Sequence, residues 1–350
     1  MLFPGISITT TGFKLLPHKM PSTLPLSYFF SLFLLVSLFS GPLPVSSARC
    51  HKDDKKALLA VKSGLGNPYD LIAWTSDYPC CDWAGVSCDS ATGRVTSLDI
   101  SGTNSSATIP TSVADLPFLQ SLTFHKNANL TGPIPSAIAT LTRLTFLRLD
   151  WNGLSGPVPA FLARLTALDY LNLAFNQFSG SIPPSLGSLP LEFLRLDRNR
   201  LTGPIPSSLS RSSLTYLYLS HNGLTGSIPQ SFANAQFEVL DLSRNQLAGD
   251  ASLLFGTSKP LQVLDLSRNQ FEFDFSAVEF PENMTALDLN HNQVYGSIPP
   301  EITQREWQLL NVSYNRLCGQ IPSGGNLGRF DEYSFFHNKC LCGPPLAPCK

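Results

Sequence analysis

The sequence predicts an α/β repeat solenoid, and three observations predict it. One hydrophobic pattern returns every 23 to 25 residues through the middle of the chain. The eight cysteines avoid that middle and gather in two groups of four, one at each end of it. Charged residues make up only 14 % of the 350 residues, while Leu, Ser, Asn, Gly and Pro recur throughout. That composition suits a fold with many tight turns better than a helical bundle.

Residues 1–48 read as a secretory signal. Lys14, His18 and Lys19 form a basic n-region, an apolar run spans about Tyr28 to Phe39, and Ser46-Ser47-Ala48 supplies small residues for cleavage after Ala48. Met20 would begin a leader of more ordinary length. A membrane anchor is the rival reading, but the run is shorter than the roughly 20 residues a span requires, and no later stretch is apolar enough. A secreted, extracellular protein with no membrane segment after cleavage is expected. Its formal net charge of −1 suggests no nucleic-acid partner.

In an oxidising compartment the cysteines read as four disulfides. Cys50, Cys80, Cys81 and Cys88 belong to an N-terminal cap at residues 49–93, and Cys318, Cys340, Cys342 and Cys349 to a C-terminal cap at 318–350. Each group allows three connectivities. The reading adopted closes Cys81–Cys88 and Cys342–Cys349 as short loops and Cys50–Cys80 and Cys318–Cys340 as longer ones. A zinc site is the alternative, disfavoured because no His sits at ligand spacing in either group. No metal or cofactor is expected. Asp53–Gly66 reads as an amphipathic helix with Ala57, Leu58, Val61 and Leu65 on one face. Trp74 and Trp83, which flank Cys80-Cys81, should pack over the first repeat.

Between the caps, over 94–317 with the last repeat running to about 325, the pattern is L-x-x-L-x-L-x-x-N-x-L-x-G-x-I-P. Clear copies begin at Leu144, Leu168, Leu191 and Leu214 and carry Asn152, Asn176, Asn199 and Asn222. The asparagines continue as Asn245, Asn269, Asn292 and Asn315, and looser copies from Val95 and Leu119 place Thr103 and Asn127 there, for ten repeats in all. This is the plant-type leucine-rich repeat. It predicts a right-handed superhelix with a parallel β-sheet on its concave face. The two leucines of x-L-x-L-x point to one side of a strand and the x residues to the other. The Asn turns inward, where its amide can bond backbone groups at the bend. No repeat buries its own leucines, so stability comes from stacking neighbours.

The x residues are where function can be written. The position before the second leucine gives Phe146, Tyr170, Phe193 and Tyr216 in successive repeats, then Val239, Val263, Ala286 and Leu309. The position between the leucines includes Arg148, Asn172, Arg195, Tyr218, Asp241, Asp265, Asp288 and Asn311. Beyond it come Asp150 and Asp197, then a column with Trp151, Phe175, Arg198, His221, Arg244, Arg268, His291 and Tyr314. Exposed aromatics are common anchors of protein interfaces, although they also stiffen sheets by cross-strand packing. Asp241, Asp265 and Asp288 should stack about 5 Å apart and repel one another unless Arg244 and Arg268 neutralise them. The expected partner-binding set is Phe146, Asp150, Trp151, Tyr170, Phe193, Asp197, Tyr216, Tyr218, His221, Asp241, Val263, Asp265, Asp288 and His291.

Catalysis finds little support. His125, His221 and His291 are scattered over the sheet, and no Ser-His-Asp set or glycine-rich phosphate loop is present. Sequons for N-glycosylation occur at Asn104, Asn129, Asn283 and Asn311.

From Cys50 to Cys349 the chain resembles the plant polygalacturonase-inhibiting proteins. The entry cap C-x-x-x-D-K-x-A-L-L runs from Cys50 to Leu59, followed by Gly66-Asn67-Pro68, Trp74 and Cys80-Cys81-Asp82-Trp83. Three segments carry the specific resemblance: Gly249-Asp250-Ala251-Ser252, Glu272-Phe273-Asp274 through Val278-Glu279-Phe280-Pro281, and Asn311 to Pro322 with Phe336 to Gly343. The resemblance implies inhibition of fungal, and in a wider reading insect, endo-polygalacturonases in the plant cell wall or apoplast. Those enzymes cleave polyanionic pectin, so acidic and aromatic residues would face a positively charged cleft. The family often presents an Asp on the fourth repeat's strand, where this chain has Asn172. Two alternatives are kept: an ectodomain that binds a peptide or receptor in development or defence signalling, and a wall protein that holds pectin itself through Arg198, Arg244 and Arg268.

Overall fold

The computed structural model describes residues 49–350. The expected leader, 1–48, lies outside the described residues. Ten parallel strands in chain order, from Val95–Ser101 through Phe146–Arg148 to Leu309–Asn311, form the inner sheet, and Val86–Cys88 of the cap adds an antiparallel strand at its edge. Each repeat contributes its x-L-x triplet in the same register, so Leu147, Leu171, Leu194, Leu217, Leu240 and Leu264 are consecutive neighbours. All are essentially fully buried. Each such side chain stabilises the stack by about 1.5–3 kcal/mol, but only once the next repeat is in place.

The bend after the strand is held by asparagine. Asn222 accepts a hydrogen bond from the Leu201 N–H of the preceding repeat at 2.9 Å and donates to the Leu196 and Leu219 carbonyls at 3.0 and 3.1 Å. Asn199, Asn245, Asn269, Asn292 and Asn315 repeat this pattern. Thr103 takes the first place as expected, its N–H and hydroxyl both donating to Asn127 at 2.8 Å. At the other end Asn338, which the repeat pattern did not reveal, adds a rung by accepting from Leu317 N–H and donating to Val312 O, both at 3.0 Å.

Past the asparagine, the L-x-G segment forms a second sheet of seven short strands, from Thr131–Gly132 to Gln270–Phe271. This sheet was not foreseen, because N-x-L-x-G reads as a turn. The strands form because each pairs with the equivalent segment a repeat away, and most end at a Gly such as Gly203, whose φ of +77° is open to glycine at little cost. The proline of G-x-I-P then caps a 3₁₀ turn, as at Pro159 before Ala160–Arg164 and Pro206 before Ser207–Arg211.

Where repeats seven and eight abandon G-x-I-P, aromatic residues fill the space. Phe255, Phe273, Phe275, Phe280 and Trp307 are buried and pack ring to ring at 5.6–6.3 Å, mostly edge to face.

Both caps are disulfide-bonded, as Cys50–Cys80, Cys81–Cys88, Cys318–Cys340 and Cys342–Cys349. The N-terminal helix spans Lys52–Gly64 and buries Ala57, Leu58 and Val61. Its Asp54, fully buried, is chelated by Arg94 at 2.7 and 3.0 Å and by Val95 N–H at 2.8 Å, which ties the cap to the first strand. Trp74 and Trp83 stack at 5.2 Å beneath it. Cys340–Cys342 pairs in parallel with Arg316–Gln320, so the C-terminal cap closes the stack as a partial repeat.

Because the asparagine amide is the link between turns, Asn222→Ala should cost about 1–3 kcal/mol, the penalty for leaving buried backbone groups unpaired. Urea unfolding measures it, and a loss below ~0.5 kcal/mol would mean that the amide does not link the turns.

Candidate functional site

The inner sheet brings the aromatic column together as a stack. Phe146, Tyr170, Phe193 and Tyr216 are register partners on adjacent strands. Phe146 and Tyr170 lie parallel at 4.1 Å, Tyr170 and Phe193 at 4.4 Å, and Tyr216 tilts away at 6.1 Å. All four are half-buried. Val263 continues the same column as an aliphatic residue. A groove of about 300 Å³ runs along the stack, lined by these four rings and by Asp169 and Glu192. The two carboxylates were overlooked in the sequence because they sit one residue before the rings, at the strand's entry rather than within x-L-x-L-x.

The next column splits into two chemistries. Arg148 and Arg195 fold onto Asp150 and Asp197 at 2.8 and 2.6 Å, and His125 also reaches Asp150 at 2.8 Å. The expectation that Asp150 and Asp197 meet a partner directly is thereby corrected. Both are 4 % exposed and serve to hold the arginines. The chain bends after the triplet, so a position that simple alternation places outward turns under its neighbours. Arg195 then lies 5.4 Å from the Tyr218 ring and 5.9 Å from that of Phe175.

Asp241, Asp265 and Asp288 do stack in register. Neither Arg244 nor Arg268 forms an ion pair with them among the described residues. Each aspartate instead caps its own bend, accepting from the N–H two residues on: Ser243 at 3.0 Å, Ser267 at 2.9 Å and Asn290 at 2.9 Å. Asn172 and Asn311 do the same at 3.1 Å. These x residues thus hold the bend as well as shape the surface. Burial first, and then the neighbouring carboxylate, pushes Asp241 and Asp265 up to about 6, and burial raises Asp288 as well.

The last column sits just before each asparagine. Its ten members, from Lys126 through Trp151, His221 and Tyr314 to His337, all have φ between +53° and +57°. None is glycine. Trp151, 47 % exposed, stacks on Phe175 at 3.7 Å, and His291 stacks on Tyr314 at 4.1 Å. Burial, then the charges of Arg198, Arg244 and Arg268, lower His221 to about 4, and burial, then Arg268 and Arg244, hold His291 below its usual range. The groups on this face that titrate near pH 6 are therefore the aspartates Asp241 and Asp265 and not the histidines.

The sequons fall in different settings. Asn104, Asn129 and Asn283 are exposed, and Asn129 donates to Asn104 at 2.7 Å. Asn311 is half-buried on the inner sheet, with its oxygen bonded to Ser313. The one group of three candidate metal ligands among the described residues, Cys50, Cys80 and Cys81, has its sulfurs in two disulfides.

A stack of leucine strands, an asparagine ladder and cysteine caps define a leucine-rich-repeat protein. Family models agree: "Leucine rich repeat N-terminal domain" matches residues 51–89, and "Leucine Rich Repeat" matches 167–189, 190–212 and 213–235. The chain belongs to the polygalacturonase-inhibitor family. It is 57 % identical to the polygalacturonase inhibitor of Pyrus communis over 92 % of this chain and 99 % of that one. It is 53 % identical to polygalacturonase inhibitor 2 of Arabidopsis thaliana over 91 % and 98 %. A crystal structure of a plant ice-binding protein is similar at TM-score 0.85 and 49 % identity, covering 86 % of this chain and 99 % of that one. The family is one of inhibitor proteins rather than enzymes.

Two outcomes test the site's physics. Asp241 and Asp265 bind protons more readily folded than unfolded, so their contribution is favourable at low pH and is lost as pH rises through about 6. The Asp241→Asn/Asp265→Asn variant keeps the bend acceptors without the charge. It should melt above wild type at pH 7, with the gap narrowing as pH falls through about 6 and closing only near pH 4, where the unfolded carboxylates also take up protons; an equal gap at pH 7 and pH 4 would contradict the ladder's titration. Arg244→Gly relieves a left-handed residue with no ion-pair partner among the described residues. Chemical denaturation should show it more stable by about 0.5–1 kcal/mol, the strain relieved minus the added entropy of the unfolded chain.

Proposed function

We propose that the protein is secreted into the plant cell wall and there binds and inhibits endo-polygalacturonases, fungal ones foremost, by docking its concave inner sheet against them. The observation that carries this reading is the row of stacked, half-buried rings from Phe146 to Tyr216 on the same sheet as three aspartates in register that form no ion pair among the described residues. Ordered rings lose little entropy on binding and make good anchors. The carboxylates suit an enzyme whose cleft is built to hold a polyanion, and would speed its approach. The names of the relatives supply the enzyme class.

A second reading is favoured by one observation. Arg198, Arg244 and Arg268 stand in one column without ion-pair partners among the described residues, and that column also carries Trp151 and Tyr314. Cations flanked by aromatic rings suit a polyuronate such as pectin.

Purified mature protein assayed against a panel of polygalacturonases separates the two. Tyr170→Ala should weaken inhibition by about 1–3 kcal/mol, mainly through faster dissociation in surface-binding kinetics. Inhibition unchanged by Tyr170→Ala and by Phe193→Ala would exclude the aromatic row as the anchor. Polygalacturonate binding lost in Arg198→Gln/Arg244→Gln, with no polygalacturonase inhibited, would favour the pectin reading.

A further inference from the structure

We propose that the groove along Phe146, Tyr170, Phe193 and Tyr216 receives a lysine or arginine side chain projecting from a protein partner. The residue before each ring lies at the entry edge of the sheet, where Asp169, Glu192, Thr215 and Glu238 are consecutive neighbours. Glu192 N–H donates to Asp169 O at 2.9 Å, Thr215 N–H to Glu192 O at 3.0 Å and Glu238 N–H to Thr215 O at 2.8 Å. Three of these four strands therefore present a carboxylate beside the rings. Asp169 and Glu192 are exposed, and no cation lies within ion-pair distance of them or of Glu238 among the described residues. Glu238 accepts a hydrogen bond from the Tyr216 hydroxyl at 3.1 Å, which fixes the far end of the groove. At about 300 Å³ the space is at the small end of ligand pockets and suits one or two side chains rather than a helix.

The molecule itself shows what completes such a set. One column away, Arg195 lies between the Phe175 and Tyr218 rings with its guanidinium held by Asp197 at 2.6 Å. Rings, carboxylate and cation are all present there. The groove repeats the rings and carboxylates without the cation. Arg148 and Arg195, on the same strands, are already committed to Asp150 and Asp197. A cation from outside would gain attraction from two or three carboxylates together, with its alkyl stem lying against the apolar edges of the rings. This assignment rests on the reading that partners dock on the inner sheet, and it names the chemistry of the docking element: a basic loop.

The test uses the folded mature protein and a synthetic acetyl-(Gly-Arg)₅-amide peptide, with a citrulline peptide of the same length as the uncharged control. Calorimetry should show the arginine peptide binding at least about fivefold more tightly than the citrulline one. Asp169→Asn/Glu192→Gln, two exposed near-isosteric changes, should remove most of that preference, with melting curves confirming the fold. Glu301→Gln, on the 3₁₀ side of the solenoid, should bind like wild type. Equal binding of both peptides, or an unchanged preference in Asp169→Asn/Glu192→Gln, overturns the proposal. Polygalacturonase inhibition by the same proteins keeps the two readings apart. Inhibition that survives Asp169→Asn/Glu192→Gln in full counts against the groove and leaves the inhibitor reading standing. Groove-dependent peptide binding with no enzyme inhibited supports the groove and rejects the inhibitor reading.

Discussion

One inward-turned asparagine amide per turn carries this fold. A strand of three residues cannot hold itself, and a bend that turns backbone N–H and C=O groups inward would leave them unpaired in an apolar core. Asparagine is suited to that place because it both accepts and donates, so Asn222 joins the Leu201 N–H to the Leu196 carbonyl across two repeats. The ladder begins with Thr103 and ends with Asn338, and the two disulfide caps sit at these limits. Beyond them the leucines would face water and the amide partners would be missing. The solenoid is therefore as long as the ladder.

The same bend governs the chemistry of the surface. The residue before each asparagine is forced into the left-handed region, where glycine would be free of strain and every other residue costs of order 1–2 kcal/mol. Ten such positions carry Lys, Trp, Phe, Arg, His or Tyr. The fold tolerates that strain because the N–H at many of these positions is locked to the next repeat, as Arg198 is to Ser220 O at 2.9 Å and Arg244 to Ser267 O at 2.8 Å. The aspartate ladder shows a second compromise. Asp241 is a bend cap that asparagine fills equally well elsewhere on the sheet, so its negative charge is not required by the fold and raises the cost of its burial.

Irregular repeats show how far the rule bends. Where Gly249–Ser252 and Glu272–Pro281 replace G-x-I-P, a cluster of phenylalanines takes over the volume that Ile and Pro fill in other turns, and the inner strands keep their register. Packing on the 3₁₀ side can vary because it does not set the strand pairing. The inner face thus stays a continuous sheet across the least regular part of the chain.

The period, the leucine and asparagine places, the cysteine groups and the register of Phe146, Tyr170, Phe193 and Tyr216 were all legible in the sequence, and so was the family. Each is a property of a pattern that repeats in one dimension, where neighbours in space are neighbours one period apart. What the sequence could not show depends on where the backbone turns. Asp150 and Asp197 alternate outward on paper but lie under Arg148 and Arg195, because the strand ends two residues earlier. Asp169 and Glu192 precede the strand on paper but line its groove. His221 titrates near 4 rather than near 6.5 because the stacked repeats bury it and set it among Arg198, Arg244 and Arg268. Periodicity decides which residues are neighbours; only the bend, with the burial and charge it creates, decides which of them meet a partner and in what charge state.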